Sequence, residues 1–231
     1  MCGRYTLARD HSGIEGRFNF KSDGFRWVPR YNIAPTQEVP VVLNNGRRRI
    51  EQMRWGLVPY GSKDLGIGSR MINARAESVL RRGVFKGSLR KRRCLVLADS
   101  FYEWKKIGPQ KIPIRIGIKG WETFAFAGLW AAWKSPGDEW VRSCTIITTD
   151  SNAFMQPIHN RMPVMLTREA EHIWMDNDVD DLAELVELLV PYPPSKMAAY
   201  RVSTLVNHVR NETFQCIVPV SDEPTQGRLI N

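Results

Sequence analysis

Apolar positions recur at two periods along the chain. From residue 38 to 148 they follow strand spacing. Val39-Pro40-Val41-Val42-Leu43 and Arg49-Ile50-Glu51-Gln52-Met53 flank Asn44-Asn45-Gly46, a hairpin signal. Further strands are predicted at 93–98, 101–106, 112–118, 123–129 and 140–148, with a turn at Gly108-Pro109. Helical spacing is clearest from Val179 to Val190. There Leu182, Leu185, Val186 and Leu189 fall at i, i+3, i+4 and i+7, and Pro191 stops the run. Shorter helices are predicted near 75–82, 151–156 and 167–175, and a last strand at 198–203. The expected class is α+β: a curved, mainly antiparallel, barrel-like β core with peripheral helices. No repeat or long linker divides the chain. Residues 1–231 therefore read as one domain, with an irregular tail from about residue 211.

At 231 residues and 43% hydrophobic content the chain can bury a sizeable core. No apolar run approaches a membrane span. The N-terminus has no secretory pattern, so a cytoplasmic, DNA-associated protein with reduced thiols is expected. The four cysteines (Cys2, Cys94, Cys144, Cys216) form no CxxC pair and no zinc-ligand spacing, so no metal site is expected. The net charge is +9, and Arg81 to Arg93 carries seven basic residues and no acid. Arg47-Arg48-Arg49 adds a second cluster. A polyanion partner fits this balance, and nucleic acid first among them. The basic stretch shows no membrane-surface period.

The start, Met1-Cys2-Gly3-Arg4, carries the sharpest chemistry. Removal of Met1 leaves Cys2 with a free α-amine beside its thiol. The amine can form a Schiff base with an aldehyde, and the thiol can close on the same carbon as a thiazolidine. An α-amine titrates near ~7.8, well below a lysine near ~10.4, so far more of it is nucleophilic at neutral pH. Three internal segments hold polar groups where a plain core strand would not. Ile72-Asn73-Ala74-Arg75-Ala76-Glu77 sits at a strand-to-helix junction. Phe101-Tyr102-Glu103-Trp104-Lys105 sets a carboxylate among aromatics, where lost hydration favours general-acid work; pairing of Glu103 with Lys105 or Lys106 is the plainer alternative. Ile158-His159-Asn160-Arg161-Met162-Pro163 places a histidine in a polar turn, where a structural role is equally open. Trp55 in Trp55-Gly56-Leu57-Val58-Pro59-Tyr60 offers a stacking surface or core packing.

Together with Tyr31-Asn32-Ile33-Ala34-Pro35 and Arg54-Trp55-Gly56-Leu57-Val58-Pro59, these segments resemble, in order and spacing, the motif series of the SOS-response-associated peptidase (SRAP) family. The resemblance implies a single SRAP domain with a positively charged groove for single-stranded DNA containing abasic sites. It implies that Cys2 crosslinks to the ring-opened abasic sugar and shields the strand. It implies that Asn73 orients the Cys2 amine, that Glu103 is the general acid/base and that His159 is a second proton-transfer group. Arg4, Arg75, Arg82 and Arg161 look like phosphate ligands, and Pro35 and Trp55 look like groove-shaping residues. It implies no cofactor, no obligate protein partner and a monomer, with thiol self-processing at Met1 compatible. Some members carry two tryptophans just after the WGxxP segment, where this chain has Tyr60-Gly61-Ser62-Lys63; some carry an arginine at the position of Gly83. Two other classes remain: an N-terminal-nucleophile thiol hydrolase or amidotransferase, and a non-covalent single-stranded DNA-binding module.

Overall fold

The structure is a computed structural model and describes residues 2–9, 13–20, 24–44 and 46–220. Met1, Asn45 of the expected hairpin tip and residues 221–231 of the expected tail lie outside the described residues.

Five strands close into a barrel. They are β3 (Glu38–Asn44), β4 (Arg48–Trp55), β6 (Arg93–Ala98), β9 (Phe124–Lys134) and β10 (Trp140–Asp150). Going round, β4 pairs β3, β3 pairs β6, β6 pairs β9 and β9 pairs β10, all antiparallel. The parallel pair β10–β4 completes the circle. A parallel neighbour needs a long crossover, here everything between residues 55 and 140. The circle is tight: a Cβ on Gly128 would lie 2.8 Å from both Cys94 Sγ and Val96 Cγ2. Two short strands extend β10. β5 (Asn73–Arg75) runs parallel to it, and β11 (Arg161–Pro163) runs antiparallel.

The second sheet is antiparallel, in the order β12-β8-β7-β1-β2. Its strands are β1 (Tyr5–Leu7), β2 (Arg30–Ile33), β7 (Ser100–Ile107), β8 (Gln110–Ile118) and β12 (Met197–Arg201). Tyr5 joins the layers, with its ring edge-on to Trp55 at 5.2 Å and to Phe126 at 5.7 Å. The far end of β1 is locked by buried Asp99. Its carboxylate accepts from the Ala8 and Arg9 backbone N–H groups and the Thr6 hydroxyl, and Arg115 faces it at 3.3 Å. A fully buried carboxylate needs such partners.

The expected long strands are present, the β3–β4 pair forms as a hairpin, and the turn at Gly108-Pro109 joins β7 and β8. Besides a short α1 (Ile14–Phe18), the expected helices α3 (Arg168–Trp174) and α4 (Leu182–Glu187) are present. α4 is shorter than its periodicity because Asp181 caps it, accepting from Ala183 N–H at 2.8 Å. Two expected helices differ. Residues 151–156 form turns, since the Asn152 side chain accepts from the Met155 N–H at 2.9 Å and competes with helical bonding. Residues 75–82 hold the end of β5 and one 3-10 turn; helix α2 instead spans Gly83–Lys91 and buries Phe85, Ser88 and Leu89. That is helical spacing within the basic run. The described part of the expected tail packs onto the fold. Cys216 is buried, and Val220 N–H reaches Arg201 O at 3.0 Å.

Candidate active site

The order of strands carries the N-terminus to the site. β1 lies between β2 and β7, with Tyr5 opposite Phe101 and Thr6 opposite Ser100. Tyr102 N–H donates to Arg4 O at 2.9 Å. Continuing that register sets Gly3 opposite Glu103, so the carboxylate lies beside the Cys2–Gly3 segment. From the barrel side, Asn73 Nδ2 donates to the Cys2 carbonyl at 2.8 Å. Asn73 is held there by the parallel pairing of β5 with β10, where it faces Ile146. Its own Oδ1 is buried and has no hydrogen-bond partner among the described residues.

Glu103 and His159 line one cavity of about 590 Å³, together with Trp104, Lys106, Lys111, Ile158 and Asn207. Glu103 is 5% exposed. His159 Nδ1 lies 2.9 Å from the Arg161 backbone N. A backbone N–H can only donate, so Nδ1 accepts. In the neutral ring the proton then sits on Nε2.

Cys2 is buried, and burial pushes its thiol pKa up. The Glu103 charge adds to this rise, and the Arg4 backbone N–H opposes it. The thiol is therefore protonated at neutral pH. Reactive cysteines of hydrolases show the opposite shift, being held as thiolates by positive surroundings.

The fold aligns with that of a protein from Bacteroides thetaiotaomicron solved by X-ray crystallography, with a TM-score of 0.87, 24% identity and coverage of 95% of this chain and 100% of that one. In sequence, the chain is 44% identical over 222 residues to the abasic site processing protein YoqW of Bacillus subtilis (strain 168), covering 94% of this chain and 99% of that protein. It is 33% identical over 265 residues to the abasic site processing protein HMCES of Gallus gallus, covering 95% and 78%. The family profile SOS response associated peptidase (SRAP) matches residues 1–209. The chain belongs to the SRAP family.

The remaining SRAP motif residues divide sharply by environment. Trp55 is fully buried and donates its indole N–H to Ile72 O at 2.9 Å. It shapes the core, not a stacking surface. Its neighbour Gly56 has φ +129°, and a Cβ there would lie 2.6 Å from Gly68 O, so close backbone approach explains the WG pair. Arg4 is also buried. Its guanidinium donates to Asn32 Oδ1 at 2.7 Å and Val206 O at 2.6 Å, and lies 5.7 Å from the Trp104 ring centre. Arg161 forms a bidentate pair with Glu77, at 2.7 and 3.0 Å, and meets Asp150 at 2.7 Å. Both guanidiniums already have internal partners, which the sequence motifs did not reveal.

Arg75 and Arg82 are exposed, and Pro35 is half-buried in a turn before β3. Arg75 follows Asn73 by two residues on β5, so both side chains share a face. The Arg82 guanidinium lies 5.3 Å from the Phe85 ring centre. The basic run is not one surface. Arg93 is buried and donates to the carbonyls of Leu89, Arg90 and Trp174 at 2.7–2.9 Å, satisfying groups at the ends of α2 and α3.

Three residues outside the expected set complete the surroundings. Asn32 is buried and donates to His208 O at 3.0 Å and Asn211 O at 2.9 Å, tying the C-terminal segment to β2. Its place in the Tyr31–Pro35 motif was the available signal. Trp104 donates its indole N–H to Asn207 Oδ1 at 2.7 Å on the cavity wall. Trp104 stood beside Glu103 in its motif, whereas nothing local marked Asn207. Among the described residues there is no metal-binding cluster and no helix long and apolar enough to cross a membrane.

Proposed function

We propose that this protein recognises abasic sites in single-stranded DNA and captures them covalently through Cys2. The observation that carries the reading is the placement of Cys2, held by Asn73 through its carbonyl and close enough to Glu103 for that charge to act on its thiol. Relatives across 94–95% of the chain are named abasic site processing proteins, which supports the same substrate here.

The chemistry follows from the groups at hand. Removal of Met1 bares the Cys2 amine, and the buried Asn73 Oδ1 is an acceptor for it. Glu103, as an acid, donates a proton to open the sugar ring to its aldehyde. The amine attacks the C1′ carbonyl, and the carbinolamine loses water to give an iminium. The Cys2 sulfur then bonds to C1′, its proton passes to the Glu103 carboxylate, and the thiazolidine closes. Overall one aldehyde and one aminothiol yield one ring and one water. Closure removes the iminium, which is the electron sink for β-elimination, so the strand stays intact. His159 stands on the cavity wall with Glu103 as a second proton-transfer group. Exposed Arg75 and Arg82 bind phosphates, and Pro35 is a groove-shaping residue. Self-processing, in this reading, serves to expose the Cys2 amine.

The test is a denaturing gel with abasic and intact single-stranded oligonucleotides. Wild type should give a heat-stable adduct on the abasic strand alone. Cys2→Ala, and protein that retains Met1, should give none. An adduct with Met1 retained would overturn the thiazolidine reading. Equal binding of both strands without any adduct would mark a plain binding module.

A further inference from the structure

The hairpin of β7 and β8 carries a charge arrangement that the chemistry above does not use. Its two-residue turn sets Lys106 directly opposite Lys111, with Trp104 opposite Pro113 farther down. Directly opposed residues of an antiparallel pair share a face, with Cβ atoms about 5 Å apart, and like charges there repel. Both lysines are exposed, and among the described residues neither ammonium forms an ion pair. Both line the cavity that holds Glu103 and His159. The short Gly108-Pro109 turn limits how far they can part. Trp104, on the same strand face as Lys106, is fixed from both sides by Asn207 and by Arg4.

Two opposed ammonium groups at the rim of a cavity are a site for one doubly coordinated anion. A cavity of about 590 Å³ suits a nucleotide-sized ligand. We propose that Lys106 and Lys111 together hold the phosphodiester that flanks the captured sugar, with Trp104 forming the wall between that phosphate and the reacting carbon. The inference rests on the abasic reading above and adds to it the residues that register the strand. An anion bound there relieves the repulsion within the hairpin, so substrate binding and hairpin order support each other. As a point charge on a flexible stem, each lysine positions the backbone without reading base sequence.

The test compares wild type with Lys106→Gln/Lys111→Gln, using full-length protein whose Met1 removal is verified by mass spectrometry. Adduct formation is followed against DNA concentration at several salt concentrations, on an abasic oligonucleotide and on free 2-deoxyribose, which carries no phosphate. The double variant should need about tenfold more oligonucleotide for half-maximal rate. Its dependence of log affinity on log salt should be shallower by about 0.7, the change for one phosphate on a single strand. Its preference for the oligonucleotide over deoxyribose should fall by the same tenfold factor. Lys106→Arg/Lys111→Arg should restore most of that preference. An unchanged half-saturation and salt slope, or an equal fall on both substrates, would overturn the phosphate site while leaving covalent capture intact. Absence of any adduct with wild type would overturn the abasic reading and this inference with it.

Discussion

The Asn73 side-chain amide donates to the carbonyl of Cys2 at 2.8 Å, across 71 residues of chain. One bond thus ties the barrel to the segment that leads into β1 of the second sheet. It fixes the backbone of Cys2, the residue proposed to capture the abasic sugar. Asn73→Ala should lose this donor. A buried hydrogen bond of this kind contributes about 1–3 kcal/mol, so the adduct rate on abasic DNA should fall roughly 5- to 150-fold. Stopped time courses on denaturing gels would measure this. A wild-type rate would mean that Cys2 is positioned by other contacts.

Glu103→Gln keeps the shape of the side chain and removes its proton chemistry. Adduct formation should slow by about 10²–10⁴-fold, the range typical of a lost general acid. His159→Ala should still form adduct, more slowly, and should release it more slowly when excess abasic competitor traps free protein. Release as fast as in wild type would assign His159 a structural role.

Arg161 joins Glu77 and Asp150 across the edge of the barrel. Burial alone would raise the Glu77 pKa, but the hydrogen bonds and charge of Arg161 outweigh it and hold it below the ordinary 4.5. A depressed carboxylate stabilises the fold above its unfolded pKa, and that contribution is lost as pH falls through the lower folded value. Arg161→Met should therefore lower the melting temperature at pH 7, by roughly 2–4 °C per kcal/mol lost. The gap between variant and wild type should narrow below about pH 4. A gap independent of pH would show that packing, not the ion pair, is what Arg161 supplies.

Burial pushes the Cys144 thiol up to about 12 from its ordinary 9.0. A raised folded pKa contributes stability that is full below the unfolded value and is lost as pH rises through the folded one. The fold should weaken from about pH 9 upward. Between pH 8 and 10.5 this one thiol accounts for a loss of about 2 kcal/mol. Urea midpoints at the two pH values would report it. Cys144→Ala should start less stable, because it leaves a cavity, yet lose less on going to alkaline pH.

Arg75→Ala should weaken binding to single strands without changing base preference, and should flatten the salt dependence by about 0.7. Fluorescence anisotropy on oligonucleotides of differing sequence would test this. A loss confined to one sequence would point to base contact instead.

Much of both sheets was legible in residue order because their long strands are apolar runs bounded by turn signals. Val39 to Met53 and Gly108-Pro109 each encode a hairpin locally, through side-chain period and turn chemistry. The short strands at 5–7, 30–33 and 161–163 were not legible as strands, and the one at 73–75 showed only as a strand-to-helix junction. Three or four residues hold no period, and their partners lie far along the chain. The helix at Gly83–Lys91 was hidden because its apolar positions are three among many cations.

The candidate site divides in the same way. The Met1-Cys2 start states its own chemistry, because an aminothiol depends only on neighbouring atoms. Glu103 and His159 stood out by the aromatics and the polar turn around them, with a structural role open for each, and the fold sets both on one cavity. Which arginines remain available for DNA was decided by tertiary structure alone. Arg4 spends its charge on Asn32 and on a carbonyl 202 residues away, and Arg161 on a carboxylate 84 residues away, while Arg75 stays exposed. Charge and period are local properties of a sequence. Whether a guanidinium meets an internal acceptor or water depends on strand order and barrel closure, which bring together residues that no local pattern links.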